Sequence, residues 1–179
     1  SAGSDDVFVA KLDAGGSYEW FKQAGGTGVD RGYGVSVLAD GSSIVTGKFQ
    51  GTAIFGSTTF TSAGNDDVFI AKLDADGDYQ WATKAGGTGV DQGNDLSVLA
   101  DGTVIVSGAF KSTAHFGNTT LTSTGNDDVF VAKLDTNGNY EWATQAGGTS
   151  NDVGYGVSVL ADGSSIVTGR FYGIATFGR

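Results

Sequence analysis

No cysteine, proline or methionine occurs in the sequence, and histidine occurs once. Without cysteine there is no disulfide framework, no thiolate metal site and no thiol nucleophile. Basic residues are scarce: ten Lys and Arg stand against twenty Asp and Glu, giving a formal charge of −10 at pH 7. That balance argues against nucleic acid or an anionic membrane as a partner, because both are held by concentrated positive charge. A cationic partner or a metal ion suits the charge better. No apolar run approaches the roughly 18–20 residues that cross a bilayer as a helix, so membrane insertion is not expected. No signal peptide is visible at Ser1 and no methionine precedes it, which reads as the start of a processed or excised piece.

Glycine, by contrast, occurs 31 times, and Val, Ile, Thr, Phe, Tyr and Trp fill the segments between glycines. Strands joined by tight turns are expected, and essentially no helix. The chain is organised around the stretch 66–87, DDVFIAKLDADGDYQWATKAGG, which recurs at 5–26 and 127–148 with a displacement of 61 residues. Repeats are therefore placed at 1–61, 62–122 and 123–179, within a single repeat domain. Within each, a strand such as 7–13 turns through Gly or Asn into one beginning at Tyr18, Tyr79 or Tyr140; a second hairpin pairs 32–40 with 42–49 through Asp40-Gly41. The intervening 52–64 reads as a long loop or a small extra ribbon.

Four principal strands per unit, linked by tight hairpins, is the anatomy of a β-propeller blade. The run DxFVAKLDxxGxxxW…GGxxxDxG, followed by a DGxxxVTGxF hairpin, resembles the bacterial β-propeller repeat family known as SBBP. That resemblance covers all three copies and implies an all-β fold of four-stranded antiparallel blades, in a cell-surface or secreted bacterial protein. The family brings no catalytic residues with it. The strand order expected across a blade is 32–40, 42–49, 68–74, 79–85 from the inside outward, which leaves one blade split between 154–177 and 5–26. Propellers typically have about 4–8 blades, so three should not close a ring. An open blade face of about 500 Å² would cost about 12 kcal/mol at 25 cal/mol per Å². The expectation is thus a homodimer with a six-bladed ring, each N-terminal hairpin completing the last blade of the other copy. The alternative is a fragment of a longer cell-surface propeller. The near-identity of the copies fits recent duplication and engineering alike.

No catalytic constellation stands out, and a non-enzymatic structural or binding module is the expected function. His115 stands where Ile54 and Ile174 are read in the flanking copies, so no repeated acid–base or metal site can rest on it. Asp30, Asp91 and Asp152 recur as Asp-x-Gly before the innermost strand. They are candidates for a cation or ligand site around a central channel, the alternative being that each caps its own turn by accepting backbone N–H groups. Asp74, Asp76 and Asp78 alternate along a Gly-containing turn as in a calcium loop, but the bidentate Glu of an EF-hand is missing, and a plain hairpin turn is the competing reading. Calcium is accordingly the one cofactor under consideration. Trp20, Trp81 and Trp142 are candidate sugar platforms for a lectin with sites at blade junctions, or else core residues at strand period.

Overall fold

The computed structural model describes residues 3–178; Ser1, Ala2 and Arg179, the outer bounds expected for the first and third repeats, lie outside the described residues. Thirteen strands and no helix account for the regular structure among them. The β-branched and aromatic residues make strands, and the recurrent Asp-x-x-Gly sequences end them. In the turn after Leu73, Asp74 Oδ1 accepts the N–H groups of Asp76 (3.1 Å) and Asp78 (2.8 Å). Gly77, at φ +81°, then turns the chain back.

The chain opens with the hairpin β1 (Val7–Leu12) and β2 (Tyr18–Gly26). A complete four-stranded antiparallel unit follows, in the order β3 (Arg31–Val37), β4 (Ser43–Phe55), β5 (Thr58–Leu73), β6 (Tyr79–Gly87). A second repeats it with β7 (Gln92–Val98), β8 (Val104–Phe116), β9 (Thr119–Leu134) and β10 (Tyr140–Gly148). Hairpin β11 (Val153–Val159) and β12 (Ser165–Arg170), then the short β13 (Ala175–Phe177), end the chain. The strand order within a unit is the one read from the sequence.

The segment 52–64 settles as a ribbon continuous with its neighbours. β4 and β5 run past their bulge at Gln50/Thr52 and stay paired from Thr52↔Thr61 to Phe55↔Thr58. This extension ties units together: β2 pairs with β4 (Gly25↔Ile54), β6 with β8 (Gly86↔His115) and β10 with β13 (Gly147↔Thr176). Thr176, rather than Ile174, therefore takes the place of Ile54 and His115. The isoleucine beside the shared alanine, after it in Ala53-Ile54 and before it in Ile174-Ala175, hides this register in the sequence.

The core lies between units. One cluster joins Val7 and Val9 of β1 to Phe49, Phe55, Phe69 and Leu73 of the first unit; another joins Ile70 of the first unit to Leu96, Val106, Phe110 and Phe130 of the second. The strands β3, β7 and β11 meet along one side. There, Asn94 Nδ2 donates to the Gly154 carbonyl at 2.8 Å, and the N–H of Val157 donates to Asp95 Oδ2 at 2.9 Å.

Candidate functional site

The three recurrent aspartates before β3, β7 and β11 are placed at the unit junctions and fully buried. Asp91 Oδ2 accepts the N–H of Gly87 (2.7 Å) and its Oδ1 that of Lys111 (3.1 Å). Asp30 takes Gly26 (2.7 Å) and Gln50 (3.0 Å), and Asp152 takes Gly148 (2.7 Å) and Tyr172 (2.9 Å). In each case one donor ends the outermost strand of a unit, and the other lies on or just after the second strand of the next. The carboxylate is a clasp across the junction, and its two oxygens are occupied by backbone donors. This corrects the expectation of carboxylates open to a central channel. Among the described residues, no group of three or more acidic or histidine side chains is arranged to hold a metal ion.

Beside each clasp lies a second carboxyl group. Asp67 and Asp128 are almost wholly buried within the long strands β5 and β9. Asp67 Oδ2 accepts the N–H of Ala63 at 3.0 Å and Lys84 Nζ at 3.3 Å. Asp128 Oδ2 accepts Thr124 N–H at 3.0 Å and Gln145 Nε2 at 3.4 Å. Their Oδ1 atoms are buried with no hydrogen-bond partner. Burial pushes the Asp91 carboxyl up to about 7, with the charges of Asp67 and Asp127 adding to the rise. Asp30, Asp67 and Asp128 are also raised, burial again being the largest cause.

In the Asp74, Asp76, Asp78 turn the carboxylates of Asp74 and Asp78 are engaged within the protein, and Asp76 contributes its backbone N–H. Asp74 holds its own turn and accepts Gln80 Nε2 at 2.7 Å, while Asp78 pairs with Lys22 of β2 at 2.7 Å. Asp13 and Asp135 build the same turn with no second acidic residue beside them, accepting Ser17 and Asn139 N–H groups at 2.9 Å. That makes it an Asp-closed hairpin turn rather than a calcium loop.

Trp20 Nε1 donates to the Ala75 carbonyl at 2.9 Å, and Trp81 Nε1 to that of Thr136 at 3.0 Å. Each indole lies flat against a glycine of the next unit: a Cβ on Gly77 would come within 2.9 Å of the Trp20 ring, and one on Gly138 within 2.7 Å of the Trp81 ring. Two of the three candidate sugar platforms thus have a ring face taken up by a neighbouring turn. Trp142, which has no following unit in the chain, is 38% exposed. His115 is on the ribbon, its Nδ1 3.1 Å from Thr120 Oγ1.

No family model matches the chain. Among curated proteins it is similar to the regulatory protein FlaEY of Caulobacter vibrioides, at 28% identity over 174 residues, spanning 93% of this chain and 18% of that one. It is also similar to the uncharacterized WD repeat-containing protein L264 of Acanthamoeba polyphaga mimivirus, at 26% identity over 204 residues, covering 96% of this chain and 14% of that one. The chain spans less than a fifth of either relative's length.

Proposed function

We propose that the repeated units are propeller blades and that the chain is a binding scaffold, without enzymatic activity, whose ring is completed by a second copy. The observation that carries this reading is a contrast between equivalent residues. Phe69 and Phe130 are fully buried in the complete units, whereas their counterpart Phe8 is 67% exposed; Ile44 and Ile105 are 1% and 0% exposed, whereas Ile166 is 65% exposed. The exposed set lies along two strands whose free edges are complementary by the repeat itself. In the first unit β4 meets β5 from Ser43↔Leu73 to Lys48↔Val68. The same register between β12 of one copy and β1 of another sets Ser165 against Leu12 and Arg170 against Val7.

Charge and shape favour the same pairing. Lys48 makes an ion pair with Asp66 at 2.6 Å, and Arg170 and Asp5 hold those two places in the split unit, Asp5 being paired within its own chain with Arg31 at 2.6 Å. A groove of about 610 Å³, lined by residues 5–10 and 30–35 with Val45, lies where the inner strands of that unit would sit. Trp142 would then cover Gly16 and donate to Ala14 of the second copy, as Trp20 and Trp81 do one unit along. The WD-repeat name of one relative favours a propeller-like binding module. The resemblance to SBBP repeats alone supplies the setting, a bacterial surface or secreted protein.

Light scattering on size-exclusion fractions tests the reading. A mass twice the 18.1 kDa of the chain, held over a hundredfold dilution, is expected. A monomer with Phe8 and Ile166 accessible to solvent overturns closure by a second copy and favours repeats whose edges are covered by neighbours in a longer chain.

A further inference from the structure

At three successive places an aspartate just before β1 or within β5 or β9 converges on one glycine with the aspartate that precedes β3, β7 or β11. A Cβ on Gly86 would lie 2.8 Å from Asp67 Oδ1 and 2.9 Å from Asp91 Oδ2; on Gly147 it would lie 2.6 Å from Asp128 Oδ1 and 3.0 Å from Asp152 Oδ2. On Gly25 the corresponding atoms belong to Asp6 and Asp30, both at 2.8 Å. Two carboxyl oxygens that lie within about 3 Å of one point, away from water, cannot both carry full charge without a large penalty.

We propose that the pairs Asp67/Asp91 and Asp128/Asp152 each bind one proton, held by the Oδ1 of Asp67 or Asp128 and donated toward the clasp aspartate. The assignment of the proton follows from partners. Asp91 and Asp152 already receive backbone N–H donors on both oxygens, which favours their charged form. The Oδ1 atoms of Asp67 and Asp128 are the buried oxygens without a donor, and a proton there turns a buried unpaired acceptor into a donor. Gly86 and Gly147, at φ +144° and +157°, leave the space that a side chain would fill.

The surrounding charges set how firmly each proton is held. Lys84 reaches Asp67 Oδ2 at 3.3 Å and Asp66 lies nearby, itself paired with Lys48; Asp127 acts on both Asp91 and Asp128. At Asp128 the place of Lys84 is taken by the neutral Gln145, which removes one cation that favours the charged form. Both pairs are complete within one chain, so the inference is independent of the assembly proposed above.

Folding then takes up protons that the unfolded chain has released. Unfolded aspartate titrates near 3.9, and burial raises Asp67, Asp91 and Asp128 in the folded chain. The stability tied to each proton is therefore fully present below about pH 4 and is lost as pH rises through the raised folded values.

Asp67→Asn with Asp128→Asn places an amide N–H where each proton is inferred. In urea titrations from pH 5 to 8 the wild-type midpoint is expected to fall, with about one proton per pair released on unfolding. The double variant is expected to lose that fall and to match or exceed wild type at pH 8. Infrared spectra of the folded wild type at pH 6 should show un-ionised carboxylic acid that the double variant lacks. Parallel pH profiles for the two proteins overturn the proposal. So does the absence of un-ionised carboxyl from wild type at pH 6, a measurement that decides even if the variant does not fold. A rise of the wild-type midpoint with calcium chloride at pH 8, lost in the variant, also overturns it and makes the pair a cation site.

Discussion

A single aspartate side chain at each junction joins the backbones of two units. Asp91 supplies the acceptors for two backbone N–H groups that belong to different units. Asp91→Ala leaves both donors buried without a partner and is expected to destabilise by about 2–5 kcal/mol in urea unfolding. Trp81→Phe keeps most of the ring contact with Gly138 but strands the Thr136 carbonyl, an expected loss of about 1 kcal/mol by the same measurement. The clasp residues were visible in the sequence because Asp-x-Gly recurs at a fixed period. Their partners Asp67 and Asp128 were not, because each is one of two adjacent aspartates with no distinguishing pattern of its own. What sets them apart is the neighbouring pairing of β6 with the far end of β8 at Asp67, and of β10 with β13 at Asp128, contacts between strands far apart in the chain.

At the level of strands and hairpins, repetition supplies its own control experiment. Phe69, Phe130 and Phe8 stand at one position of the repeat, on β5, β9 and β1. Phe69→Ala or Phe130→Ala empties a packed site, Phe69 lying 4.6 Å from Phe55 and Phe130 4.7 Å from Phe116 between ring centroids; each is expected to cost about 3–5 kcal/mol. Phe8→Ala is expected to leave the stability of the isolated chain within about 0.5 kcal/mol while lowering the mass seen by light scattering toward one chain. Alternation and turn residues made the hairpins legible from sequence, down to the order of strands in a unit. The ribbon was legible only as one of two readings: Gly51, Gly56 and Gly64 punctuate the segment like a loop, yet the backbone pairs from Thr52↔Thr61 to Phe55↔Thr58. What holds that segment in strand form is the neighbouring unit's outer strand.

For the molecule as a whole, the proposed closure links stability to concentration. If each copy covers the open edges of the other, the thermal midpoint should rise with protein concentration, as mass action requires. Ile166→Asp, at an edge residue 65% exposed in the single chain, should abolish that rise by burying an unpaired charge in the shared unit. The split of one unit between chain ends also has a consequence for timing. β1 and the last six residues of β9 are the same hexapeptide, Val-Phe-Val-Ala-Lys-Leu. A foreign β1 therefore competes with the chain's own β9 for β8. A hairpin closes in about 1–10 μs, whereas a second chain at 1 μM arrives only about 0.1–10 times per second. The local partner wins that race in dilute solution and loses its advantage as chains crowd, so renaturation should succeed when performed dilute and concentrated only afterwards, and should yield tangled exchange products when the order is reversed.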